Sequence, residues 1–240
     1  MLKKMILAAC VAACLSGCVT PSGGGGLNDL LGGLSAARPL SEGEIVAGLK
    51  EALKVGTGNA VQLTSRLDGY YRNPQIRILL PENVRKAENL LRMAGLGGQV
   101  DAFEQSMNRA AERAAPEAKA LFVDTIGRMT FADARRILKG RESEATLFFK
   151  EQTYQPLAQR FKPLVHNAMS EVGVTRYYQT LHNKIRNIPM ADSMTPDLDQ
   201  YVTQGALDGL FFMLAQEEAR IRRDPAARVT ELLKRVFGSN

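Results

Sequence analysis

Glu104, Asn108, Arg109 and Glu112 crowd one predicted helix face. Residues four apart stand one above another on a helix, so Glu104, Asn108 and Glu112 form one stripe. Carboxylates beside an amide and a guanidinium suit a polar cleft for a ligand or partner, or a solvated face laced by local ion pairs. A second candidate is Asp208, inside the apolar run Thr203 to Ala215, TQGALDGLFFMLA. A carboxylate carried into a core must be paired, hydrogen-bonded or protonated. Gln204, one turn earlier, can donate one bond, and Arg109 is the expected cation. A raised pKa would instead make Asp208 a general acid or base. No second catalytic group accompanies it, so Asp208, Gln204 and Arg109 are read as a buried structural polar group.

Catalytic motifs are absent from the rest of the chain. His166 and His182 are the two histidines, and neither has a Glu or His at a metal-binding helical spacing. There is no GxSxG, no Walker loop and no dinucleotide glycine loop. The sequence therefore assigns no catalytic residue, no metal and no cofactor. Gly95-Leu96-Gly97-Gly98 before a helix suits an anion cradle or a plain helix-breaking turn. Arg220, Arg222, Arg223, Arg228, Lys234 and Arg235 form a basic end, fit for lipid phosphates or an acidic partner. They also suit a solvated face, with Glu217, Glu218 and Glu231 interspersed. The pairs Tyr70-Tyr71 and Tyr177-Tyr178 can line a groove or seal helix ends.

The elements that must position these residues are helical. Ser41-Glu42-Gly43-Glu44 matches a capping box. Ile45, Leu49, Ala52, Gly56, Ala60, Leu63 and Leu67 recur at threes and fours, predicting a helix over 42–67. Residues 70–80, YYRNPQIRILL, break the period and suit a short strand or an extended crossing. Helices follow from Pro81 to about Ala94, and from Leu96 through Val100, Phe103, Met107, Ala110 and Ala114. Others cover 117–129, the capped 130–140, and about 143–172, where Pro156 and Pro163 should kink or end the helix. Thr175 to Ile188 precedes Pro189. The run around Thr203–Ala215 is apolar nearly all round, which predicts a buried central helix over about 198–223. Gly205 and Gly209 leave one face of it open to close approach. Asp224-Pro225 then starts a final stripe, Val229, Leu232, Leu233 and Val236. Short connections predict an all-α fold: one compact multi-helix domain, residues 41–240, of about eight to ten helices.

Residues 1–17 belong elsewhere. Lys3 and Lys4 precede the apolar run Met5 to Leu15, as in a secretory signal. Leu15-Ser16-Gly17-Cys18 resembles the lipobox of bacterial lipoproteins, which implies cleavage before Cys18 and a diacylglycerol thioether on its sulfur. Val19, rather than Asp, follows the Cys, and by the same resemblance this implies the outer membrane, facing the periplasm. Residues 18–40 then read as an acylated Cys and a Gly-rich tether. Cys10 and Cys14 would leave with the signal, so the domain keeps no thiol for a disulfide, a zinc site or a nucleophile. Removing Lys3 and Lys4 from 31 basic residues leaves 29 against 25 acidic ones, an excess of +4. Without a run of like charge, that balance argues for no nucleic-acid partner.

Several segments carry a wider resemblance. PENVRKAENLLRMAG, DAFEQSMNRAAERAAPEAKALF, MTFADARRIL, GVTRYY and DQYVTQGALDGLFFMLAQEEARIRRDPAAR resemble the 4197 family of domains of unknown function. The resemblance covers roughly Ile45 to Gly238. It implies a helical proteobacterial domain, often behind a lipoprotein signal and without an assigned activity.

The expectation is an outer-membrane lipoprotein with a non-catalytic binding or scaffolding domain. Its partners would be the membrane, through the lipid anchor, and an envelope protein. The alternatives are a carrier of an apolar ligand between helices, or an enzyme whose site no motif marks.

Overall fold

The capping box at Ser41 forms as its residues dictate. The Ser41 hydroxyl accepts from the Glu44 N–H, and the Glu44 carboxylate accepts from the Ser41 N–H at 2.8 Å. It opens helix α1, Glu42–Ser65, whose buried stripe is Leu49, Ala52, Leu53, Gly56, Ala60 and Val61. In a computed structural model the chain is described over residues 41–185, 197–228 and 230–238. The signal segment 1–17, Cys18 and the tether to residue 40 lie outside these residues, as do Pro189 and Val229. From Ser41 onward the described residues belong to one compact unit.

Eight further α-helices follow among the described residues. They are α2 Glu82–Leu91, α3 Gly97–Ala114, α4 Ala118–Arg128, α5 Phe131–Lys139, α6 Glu144–Val172, α7 Val174–Ile185, α8 Leu198–Arg223 and α9 Glu231–Gly238. No strand occurs among the described residues, so the fold is all-α. A single π-helical turn, Arg92–Leu96, joins α2 to α3, with Gly95 at φ 78° where a side chain would be strained. Thr130 and Asp133 form a second capping box ahead of α5.

Two features depart from the sequence pattern. Pro156 and Pro163 do not end α6, which runs unbroken through both. Each proline withholds an N–H from the carbonyl four residues earlier, Gln152 or Gln159. All four residues are exposed, so water serves those carbonyls and the helix continues. The second departure concerns α8. It packs against α1, α3 and α6, and so holds the centre of the domain. Yet Gln200, Gln204, Asp208, Phe212 and Gln216, spaced by fours, form one solvent-facing stripe along it.

The core lies between these helices. Phe122 of α4 meets Phe149 of α6 at 5.4 Å and Phe211 of α8 at 6.0 Å, both edge to face. Such contacts add about 0.5–1.5 kcal/mol each beyond area burial. Gly205 and Gly209 admit a close neighbour, as their spacing implies. A Cβ on Gly209 would lie 2.6 Å from the Tyr70 ring, and one on Gly205 3.0 Å from Ile78. That neighbour is the crossing between α1 and α2, residues 66–81, which is built of turns as far as Ile76.

Candidate functional site

Glu104, Asn108 and Glu112 do form one stripe of α3, but no open cleft. The crossing lies over them, and all three are buried. Asn108, at 0% exposure, treats Ile78 as a neighbouring strand would. Its side-chain carbonyl accepts from the Ile78 N–H at 2.8 Å, and its amide donates to the Ile78 carbonyl at 2.8 Å. Glu104 takes Arg77 at 2.6 Å, and Glu112 accepts from the N–H groups of Tyr70 and Tyr71. The Tyr70 hydroxyl reaches past them to donate to the Ala206 carbonyl of α8 at 2.6 Å. Burial, and next the Glu112 carboxylate, push that hydroxyl's pKa far up, so it stays a donor.

Arg109 is the hub beside this clasp. It pairs with Glu112 and with Asp68, both at 2.6 Å. Burial disfavours its charge, but the hydrogen bonds it donates to Glu112 and Asp68 outweigh burial and raise its pKa. Asp68 itself sits at φ 65°, a conformation that Asp tolerates better than most residues. Arg77 and Arg109 both lie over the Tyr71 ring, at 4.6 and 5.9 Å. The Asn108 amide and the Glu112 carboxylate thus hold the crossing in place.

Asp208 corrects the sequence expectation. It is 53% exposed, and its cation is Lys150 of α6 at 3.8 Å, not Arg109. Gln204 is exposed on the same stripe. The apolar residues around Asp208 point to the core, while the side chains at every fourth position point out.

The buried acids are instead Glu217 and Glu218, which sequence alone places on a solvated face. Glu218 accepts from the N–H groups of Ala145 and Thr146 at 3.0 and 2.8 Å, so it caps α6 from another helix. Arg222 bonds Glu218 and also donates to the Ile137 carbonyl of α5 at 2.8 Å. Glu217 takes Asn59 and Arg220. Arg223 pairs with Glu142, Lys234 with Glu231, and Arg235 with Glu44. The basic end is thus largely absorbed by the fold.

An open site lies elsewhere, along the seam of α6 and α8. These helices run antiparallel: Lys150 faces Asp208, Lys162 faces Asp197 at 3.1 Å, and His166 faces Asp199 at 2.9 Å. A cleft of about 350 Å³ opens between them, lined by Tyr154, Gln155, Lys162, Gln200, Thr203 and Gln204 among others. It shares Ala158 and Lys162 with a second, shallower cleft of about 540 Å³ that continues past Pro163 to His166 and Asn167. The Thr203 side chain belongs to its floor, 5% exposed, and its hydroxyl has no hydrogen-bond partner among the described residues. Sequence reasoning singled out only Gln204 here. Thr203 carries no signal in the sequence, since a threonine inside a helix ordinarily bonds the carbonyl one turn back, as Thr57, Thr64, Thr125 and Thr153 do.

A family model described as a protein of unknown function, DUF4197, matches residues 39–238. The chain belongs to that family. Comparison with curated proteins finds no match, and comparison with solved structures finds none. Among the described residues of this DUF4197 chain, no three His, Cys, Asp or Glu gather as metal ligands. Within the same residues, no helix is long and apolar enough to cross a membrane.

Proposed function

We propose that this DUF4197 chain is a lipoprotein held at the outer membrane through Cys18, with its helical domain acting in the periplasm as a non-catalytic binding module. Lys3-Lys4, the apolar run and Leu15-Ser16-Gly17-Cys18, in that order, support the anchor. Two or three acyl chains give stable attachment where one is marginal. The observation that carries the binding role is the open α6–α8 cleft, lined by the exposed Gln155, Gln200 and Gln204. The apolar-carrier alternative has less support. The pocket between Leu49, Leu53, Ile137 and Leu214 holds about 20 Å³, room for one water and not for an acyl chain.

Two experiments test the two halves. Cys18→Ser should abolish metabolic palmitate labelling, and label that persists would sink the anchor. A photo-crosslinking residue at Gln204 should trap a ligand or partner in cells, while one at Glu117, exposed on the α3–α4 connection, should not. Equal trapping at both positions, or none at Gln204, would count against the cleft.

A further inference from the structure

We propose that the layer formed by the crossing and α2 is a docking face for a bilayer containing anionic phospholipid. The anchor proposed above would hold the domain near such a surface, but this contact is made by the folded domain itself. Seven large apolar side chains stand exposed among the described residues, and four of them fall within residues 67–93. They are Leu67 at 74%, Leu79 at 51%, Leu90 at 46% and Met93 at 76%.

The four belong to one layer. Asp101, Glu104, Asn108 and Glu112 make a single stripe of α3, about 16 Å long. Arg92 pairs with Asp101, Arg77 with Glu104, Ile78 with Asn108, and Tyr70 and Tyr71 with Glu112. The crossing and the far end of α2 therefore lie along the same side of α3. Tyr201 of α8 donates to the Leu79 carbonyl at 3.0 Å and pins the crossing between them. On α2, Val84, Ala87 and Leu91 are buried, while Lys86, Leu90 and Met93 make an outer stripe.

Charge selects the occupant. Residues 66–93 hold six basic residues against three acidic ones, +3 of the +4 that the chain keeps after residue 17. Arg66 and Arg85 are exposed and have no ion-pair partner among the described residues. The acids beneath, Glu104 and Glu112, are buried and matched by Arg77 and Arg109. Outward, the layer presents apolar side chains set among cations, the character of a segment that lies in a membrane interface. The basic end of α8 and α9 differs, since no large apolar side chain is exposed among the described residues of 220–238. A fluid bilayer accepts apolar side chains that stand singly and asks only that they stay apolar. A protein partner needs packed sockets that match them. Residues 18–40 can reach at most about 80 Å, so any side of the domain can meet the membrane that holds Cys18. Tethering raises the effective concentration, so a modest affinity of the face is enough.

The test uses the chain from residue 18 carrying Cys18→Ser, so that no acyl chain contributes. It should float with vesicles of equal parts phosphatidylglycerol and phosphatidylcholine, and far less with phosphatidylcholine alone. Salt at about 0.5 M should release it. Arg66→Gln combined with Arg85→Gln should weaken partitioning about 25-fold, or about 5-fold per charge. Leu67→Ser combined with Met93→Ser should weaken it at least about 10-fold. Both of those side chains are about three-quarters exposed, so the melting temperature should stay unchanged, which separates docking from folding. Val123→Ser, exposed on α4, should alter neither. Absence of flotation, flotation indifferent to both double variants, or equal flotation with phosphatidylcholine alone would each overturn the proposal. So would a dimer in sedimentation that Leu67→Ser with Met93→Ser dissolves, because the face would then serve a second copy. Palmitate labelling at Cys18 and crosslinking from Gln204 are separate readings, so a failure here leaves the anchor and the cleft standing.

Discussion

Asn108 is the side chain whose loss should be felt most sharply. It alone serves both the N–H and the carbonyl of Ile78, each at 2.8 Å, in a place without solvent. Stranding the two groups costs about 1–3 kcal/mol each, or about 2–6 kcal/mol together. The bond from Asn108 to the Glu104 carbonyl adds little, since α3 already uses that carbonyl. Asn108→Ala opens a space into which water can follow, so it should fall at the low end. Asn108→Leu fills the space and denies water to Ile78, so it should fall at the high end. A domain of this size loses about 2–4 °C per kcal/mol. The alanine variant should therefore melt about 4–8 °C below the parent, and the leucine variant about 12–24 °C below. Circular dichroism and intrinsic tyrosine fluorescence would follow the melt, with coincident curves as the check on a single transition. Hydrophobicity alone predicts the opposite order. A leucine variant as stable as the alanine variant, or more so, would refute the claim that Asn108 substitutes for a strand.

Gly209→Ala should lower the melting temperature by about 2–12 °C, the consequence of about 1–3 kcal/mol of overpacking against the immobile Tyr70 ring and Ile76. Asp208→Ala should change stability by less than about 0.5 kcal/mol, because its carboxylate is exposed and its contact with Lys150 is long. A larger loss would show that the stripe of α8 is covered. The Thr130 hydroxyl and then its N–H hold the Asp133 carboxyl below its ordinary value of 3.8. A depressed folded pKa stabilises above the unfolded value and is lost as pH falls through the folded one. The difference in melting temperature between parent and Asp133→Asn should therefore be full at pH 7 and shrink once the pH drops below 3.8; a difference that grows in acid would contradict the cap.

The helices were legible because their signals are local. Ser41 with Glu44 and Thr130 with Asp133 mark two starts, and the seam from Leu96 to Ala114 marks α3. The break between α1 and α2 was also legible, since Asn73-Pro74 disrupts any helical period, but it is filled by turns as far as Ile76 rather than by a strand. Asp208 was misread for a specific reason. Gln200, Gln204, Asp208 and Gln216 spell a polar stripe at every fourth residue, and Phe212, 36% exposed, interrupts it. One exposed Phe made the helix look apolar all round. Glu218 was hidden for the converse reason: its partners are the N–H groups of Ala145 and Thr146, 73 and 72 residues away. Backbone groups of another element leave no mark on the sequence around the residue that uses them.

Asn108 recognises the backbone of Ile78, and recognition of backbone is indifferent to what the recognised residue carries. Over generations of drift, the crossing is thus free to change its outward side chains, such as Leu79, while keeping its path. The constraint falls on the helices that grip it, at Asn108 and Glu112 on α3 and at Gly209 on α8. A segment that looks poorly specified by its own residues is then inherited through residues lying about 30 to 140 positions downstream.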